Sequence, residues 1–161
     1  MKSKLAQAYM NTSRIFAELS HAKRLHVGAI VVKDDRIISI GYNGMPAGWD
    51  NDCEQKVYAT EWSIDNAQWE YQEEDGTAYN LKTRPEVLHA ETNAIAKLAR
   101  STESGLGADL FVTHSPCRDC AKLIYQSGIK RVWYGTAYRD SDGVEFLRKS
   151  GVEVQQLDNL D

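Results

Sequence analysis

Leu110-Phe111-Val112-Thr113-His114-Ser115-Pro116-Cys117-Arg118-Asp119-Cys120 reads as a strand that runs into a proline and then directly into a helix. The first four residues are apolar or β-branched, which suits a strand. The helix is expected over residues 117–127, with Gly128 as its stop. Val132-Trp133-Tyr134 is a second strand, residues 142–150 a second helix followed by Gly151, and Val152-Glu153-Val154 a last strand. Strands alternating with helices imply parallel crossover units.

Upstream, residues 89–100 read as a helix with Ala90, Ala94, Ile95, Leu98 and Ala99 on its inner side. Apolar runs at 27–32 and 37–42 flank the polar turn Lys33-Asp34-Asp35-Arg36 and predict a β-hairpin. Both runs are nearly continuous in apolar character, so both strands are expected to be covered on two faces. Residues 4–19 form an amphipathic helix through Leu5, Tyr9, Phe16 and Leu19. The sum is an α/β chain: a mixed sheet of about five strands between two helix layers, three layers in all. Residues 1–161 read as a single domain, with 50–84 as a polar insertion. Within it Tyr58, Trp62 and Trp69 fall near helical spacing and predict a short helix. Its tryptophans suit either local packing or a subunit interface.

Bulk properties bound the function. The chain has 161 residues, 42% hydrophobic and 26% charged, with a formal net charge of −4. That balance gives no general attraction for a polyanion, so no nucleic-acid partner is expected. No apolar run reaches the ~18 residues of a membrane span, and the N-terminus lacks a signal-peptide core. The expectation is a soluble, cytoplasmic protein. Three cysteines, two of them in Cys117-Arg118-Asp119-Cys120, do not make a disulfide framework. Cys53 reads as a small buried apolar residue.

The chemistry is concentrated in His89-Ala90-Glu91 and Pro116-Cys117-Arg118-Asp119-Cys120. Thiolates at i and i+3 in the first turn of a helix point the same way and meet its free N–H groups. With His89 as a neutral third ligand, the set leaves a fourth tetrahedral position for water, as catalytic zinc requires, and sulfur with imidazole favours Zn²⁺ over Mg²⁺ or Ca²⁺. Glu91, two residues from the ligand histidine, can sit beside the ion without binding it and carry a proton to a leaving group. His114 ends a strand and reads as packing or bonding locally rather than as a fourth ligand.

H-x-E followed by P-C-x-x-C matches the signature of zinc-dependent base deaminases. Three further stretches extend the likeness: residues 27–32; Gly41-Tyr42-Asn43-Gly44-Met45-Pro46-Ala47-Gly48; and Tyr138-Arg139-Asp140. On these the chain resembles the deoxycytidylate branch of the cytidine and deoxycytidylate deaminase family. The resemblance implies a cytidine-deaminase-like fold and zinc-dependent hydrolysis of dCMP to dUMP and ammonia, which feeds thymidylate synthesis. It assigns zinc to His89, Cys117 and Cys120, proton transfer to Glu91, and the deoxyribose to Asn43. The Ser115 carbonyl would hold the cytosine amino group and Ala90 would lie against the base. Arg24, Tyr138 and Arg139 would meet the nucleotide and its phosphate. It further implies a homohexamer activated by dCTP and inhibited by dTTP, with Mg²⁺ accompanying the triphosphate, at a regulatory site involving Gly44, Met45, Pro46 and Trp49. A second, structural zinc of the kind some phage relatives carry is not expected, because residues 54–88 have no histidine and no cysteine lies near Lys23.

The residues taken singly leave alternatives open. Asn43, flanked by Gly41 and Gly44, also suits a turn with φ > 0. Lys23 and Arg24 also suit a solvated helix end. Tyr138 could be core and Arg139 surface. The competing functions are a deaminase of tRNA adenosine or free nucleosides, a non-catalytic zinc module that needs no Glu91, and a redox C-x-x-C that needs no His89.

Overall fold

The apolar runs of the centre of the sheet are divided between two cores by the twofold alternation of a strand. In a computed structural model that describes residues 1–60 and 68–157, β1 (Gly28–Lys33) sends Ala29 and Val31 to one face and Ile30 and Val32 to the other. The same split recurs after a helix, α2 (Ala90–Ala99). In β6 (Asp109–His114) Leu110 and Val112 oppose Phe111, and in β7 (Arg131–Thr136) Val132 and Tyr134 oppose Trp133. One face is covered by α1 (Ser3–Ala17) through Ala6, Tyr9 and Met10. Here Phe111 stacks on Trp133 with ring centroids 5.7 Å apart, and Tyr9 lies 5.3 Å from Phe111. The other face carries α2 together with α3 (Arg118–Gln126) and α4 (Asp142–Lys149).

β2 (Arg36–Tyr42) and β8 (Glu153–Gln156) complete a sheet of order β2-β1-β6-β7-β8. β1 is antiparallel to both its neighbours, whereas β6, β7 and β8 run parallel. The expected three-layer α/β arrangement with a mixed five-stranded sheet is therefore present. The hairpin turns on Asp34 and Asp35, both at positive φ (49° and 60°), the backbone a two-residue hairpin loop demands. Tyr9 donates to Asp35 Oδ1 at 2.8 Å and ties that turn to α1. One expectation fails in part: β1 is covered on both faces but β2 is not, with Ile37 41% exposed, because β2 is the edge strand.

The 50–84 segment also departs from expectation. Its described residues build a second antiparallel sheet, β3 (Glu54–Tyr58), β4 (Tyr71–Gln72) and β5 (Ala78–Thr83), in the order β3-β5-β4. Tyr58 ends a strand and Trp69 lies in irregular backbone before β4, so neither belongs to a helix, and Trp62 lies outside the described residues. The reason is cross-strand pairing of aromatics. Tyr58 and Tyr71 both lie opposite Tyr79, with ring centroids 5.8 and 5.4 Å from it.

Two close backbone approaches fix the loops that matter for function. A Cβ at Gly41 of β2 would stand 2.1 Å from the Ala90 carbonyl oxygen, so this glycine lets the start of α2 rest on the sheet. A Cβ at Gly143 of α4 would stand 2.0 Å from the Pro116 oxygen, and Arg118 pairs with Asp142 beside it. Among the described residues no helix is long and apolar enough to cross a membrane.

Candidate metal centre and substrate cleft

His89 and Cys117 occupy equivalent places, each the extended residue just before the first turn of its helix (φ −73°, ψ 155° and φ −69°, ψ 170°). The Cys117 sulfur accepts the Cys120 backbone N–H at 3.5 Å, in the manner of an N-capping oxygen. Cys120 projects from the first turn and is buried. The Nδ1 atom of His89 lies 3.3 Å from the Cys120 sulfur and 3.6 Å from that of Cys117. All three donor atoms fall within 4.8 Å of one another, the one such cluster among the described residues. Nitrogen at about 2.0 Å and sulfur at about 2.3 Å on a tetrahedral zinc lie roughly 3.5 Å apart, so the set fits that ion.

The electrostatics tie the same three groups together. The hydrogen bond from Cys120, reinforced by His89, holds Cys117 down at about 4. The same hydrogen bond, with burial added, pushes Cys120 up, so the pair is poised as one thiolate and one thiol. Contact with Cys117 raises His89 above its ordinary value. Glu91, in the first turn of α2 and 4% exposed, is pushed up to about 6 by burial. A carboxyl that exchanges its proton near neutrality, set against a thiol pair, has the protonation behaviour that general acid–base chemistry uses.

A cleft of about 360 Å³ opens at this centre. It is lined by His89, Ala90, Glu91, Ser115 and Cys117, and also by Arg24, Asn43, Tyr138 and Arg139. Every residue expected to touch substrate thus lines one cavity. Ser115 Oγ accepts the Tyr138 backbone N–H at 2.7 Å and fixes that wall. Tyr138 is 50% exposed and so is not core. Helix α1 ends at Ala17, so Lys23 and Arg24 stand in a separate loop rather than at a helix end. Asn43 is not at positive φ. Its side chain clamps that loop, accepting the Val27 N–H and donating to the Leu25 carbonyl, each at 2.8 Å.

Gly44, Met45, Pro46 and Trp49 lie outside the cleft lining. Gly44 exchanges backbone hydrogen bonds with Leu88 at 3.1 and 2.8 Å, tying this loop to the residue before His89, and Trp49 is 56% exposed. The cleft also takes in residues the sequence did not single out: Thr83 and Glu54 from the insertion, and Val87. Glu54 is 4% exposed, and its Oε1 accepts the backbone N–H groups of Lys23 and Arg24 at 2.8 and 3.2 Å. No local pattern marks it, since its partners are about thirty residues away. His114 bonds to the neighbouring Thr113 hydroxyl at 3.0 Å, as expected, yet it also lines the cleft. Cys53 is buried, with its thiol pushed up by that burial.

The chain is similar to several proteins named as deaminases. The model of the cytidine and deoxycytidylate deaminase zinc-binding region matches residues 3–136. A crystal structure of dCMP deaminase from the cyanophage S-TIM5, in complex with dCMP and dUMP, superposes with a TM-score of 0.80 at 44% identity, covering 98% of this chain and 99% of that one. Deoxycytidylate deaminase of Enterobacteria phage T4 is 38% identical over 151 residues, covering 80% of this chain and 77% of its own. ComE operon protein 2 of Bacillus subtilis is 33% identical over 153 residues, covering 94% and 70%. Matched along most of its length and carrying the histidine and both cysteines in zinc-binding geometry, the chain belongs to the cytidine and deoxycytidylate deaminase family.

Proposed function

We propose that the protein hydrolyses dCMP to dUMP and ammonia. The observation that carries this reading is one cleft joining the His89, Cys117 and Cys120 cluster with Glu91 to two arginines, Arg24 and Arg139. A free nucleoside has no group that needs those arginines, whereas a monophosphate dianion takes the planar guanidinium fork well. The phage relatives named for dCMP support the same substrate.

His89, Cys117 and Cys120 would hold the zinc, which would supply the Lewis acidity that lets water ionise near neutral pH. Glu91 takes the proton of the attacking water and gives it to ring N3, then takes the proton of the new C4 hydroxyl and gives it to the leaving amino nitrogen. A C4–O bond forms, the C4–N bond breaks, and ammonia leaves. Ala90 lies against the base and the Ser115 carbonyl accepts from the amino group. Asn43 reaches the deoxyribose with the amide hydrogen that its loop clamp leaves over. Tyr138 and Arg139 close over the phosphate end.

The same reading includes a single domain with 50–84 as its insertion, a cytoplasmic location, a homohexamer, activation by dCTP with Mg²⁺ and inhibition by dTTP. Gly44, Met45, Pro46 and Trp49 are the residues proposed for that control. The Gly44–Leu88 bridge supports it by offering a route from this loop to His89. The test is a side-by-side assay of metal-replete protein on dCMP, deoxycytidine, dCTP and an adenosine-bearing stem-loop, with dCMP repeated in the presence of dCTP or dTTP. Preference for dCMP is expected. Indifference to the 5′-phosphate, or turnover of the stem-loop, overturns the assignment, and rates unmoved by either triphosphate remove the regulatory part.

A further inference from the structure

We propose that Glu54, supplied by the insertion, is a substrate-positioning residue that takes the 3′-hydroxyl of the deoxyribose. The inference rests on the dCMP reading above and deepens it. Glu54 is 4% exposed and lines the cleft. Its Oε1 holds the N–H groups of Lys23 and Arg24, whereas Oε2 is closed to bulk water and has no hydrogen-bond partner among the described residues. An unpaired buried carboxylate oxygen is costly, more so than a neutral acceptor, so a donor is owed to it. Across the ladder Glu54 faces Thr83, which lines the same cleft.

The identity of that donor follows from the substrate. A carboxylate oxygen only accepts, and dCMP has two kinds of donor, the 4-amino group and the 3′-hydroxyl. The amino group belongs at the metal end, beside Glu91 and Ser115. The phosphate, itself an acceptor and an anion, would be repelled by Glu54. The sugar hydroxyl remains. It sits between base and phosphate, and Glu54 holds the Arg24 loop that Asn43 also clamps. The last torsion of a glutamate is soft, so a small rotation turns Oε2 toward the cleft while Oε1 keeps the loop. One side chain then sets the arginine and reads the sugar.

The experiment compares kcat and KM for dCMP and for 2′,3′-dideoxycytidine 5′-monophosphate in the wild type, Glu54→Ala and Glu54→Gln. The wild type is expected to favour dCMP by about 10- to 100-fold in kcat/KM, the cost of leaving a charged acceptor unpaired. In Glu54→Ala the preference should collapse to within about twofold, because the analogue has no hydroxyl to lose. Glu54→Gln keeps an acceptor for the loop and should fold even where alanine does not, with an intermediate preference. A wild type that treats both substrates alike overturns the proposal. So does a variant that slows both substrates equally, which marks Glu54 as a prop for the Arg24 loop alone. Failure to turn over dCMP, with turnover of another cytosine compound, is a different result and strikes the dCMP reading itself.

Discussion

Glu91 carries opposing demands of stability and chemistry. Burial pushes its carboxyl from the usual 4.5 up to about 6, so the folded metal-free protein holds a proton that the unfolded chain has already released. A folded-state value above the unfolded one means that stability falls as pH rises through the interval between 4.5 and about 6, and the loss is complete above it. The cost at pH 8 is on the order of 2 kcal/mol. Glu91→Gln should therefore raise the urea midpoint of chelator-treated protein at pH 8 and leave it nearly unchanged at pH 4, where both states are protonated. An equal gain at both pH values would show that the charge is not the cause. Glu91→Ala should retain its zinc by metal analysis and lose at least about a hundredfold in deamination rate, the contribution of a positioned acid–base group. A near wild-type rate would remove Glu91 from the chemistry.

At the scale of the element, the site is made by two helix starts pressed onto the strand ends beneath them. Gly41 is the contact that allows α2 to come so close, with the Ala90 oxygen 2.1 Å from where a Cβ would be. Gly41→Ala should displace the turn carrying His89 and Glu91. It should cost about 1–3 kcal/mol in denaturant unfolding, the usual penalty of overpacking, and weaken zinc retention in parallel. Loss of stability with zinc affinity intact would separate the contact from the site. The helix starts were legible in the sequence because their signals are local: an H-x-E, a proline before C-x-x-C, a glycine after the last turn. The five strands of the main sheet were legible because β-branched runs between turns are local too. The insertion was not. Its aromatics are paired across strands, Tyr58 and Tyr71 onto Tyr79, and such spacing resembles a helix only when the intervening turns are unknown. Glu54, and the loop clamp made by Asn43, escaped for the same reason. Each acts on the 23–27 loop from a distance in the chain that no motif spans.

On the scale of the whole molecule, the sheet, its helices and the insertion converge on a single cleft, and a bound ion would tie several of these parts together. His89 precedes α2, Cys117 and Cys120 open α3, and α4 presses on the loop between through Gly143. An ion gripped only by the folded arrangement adds its binding free energy to stability. Chelation should thus lower the calorimetric Tm by roughly 5 °C or more, and added zinc should restore it. The proposed function makes this ion, in this triad, the source of the cleft's activity. Its most direct test is to titrate zinc into metal-depleted protein while following dUMP formation from dCMP. No turnover is expected at the start, followed by a linear rise that saturates at about one zinc per chain. Full activity before any zinc is added, or a rate that does not respond to it, would contradict the claim.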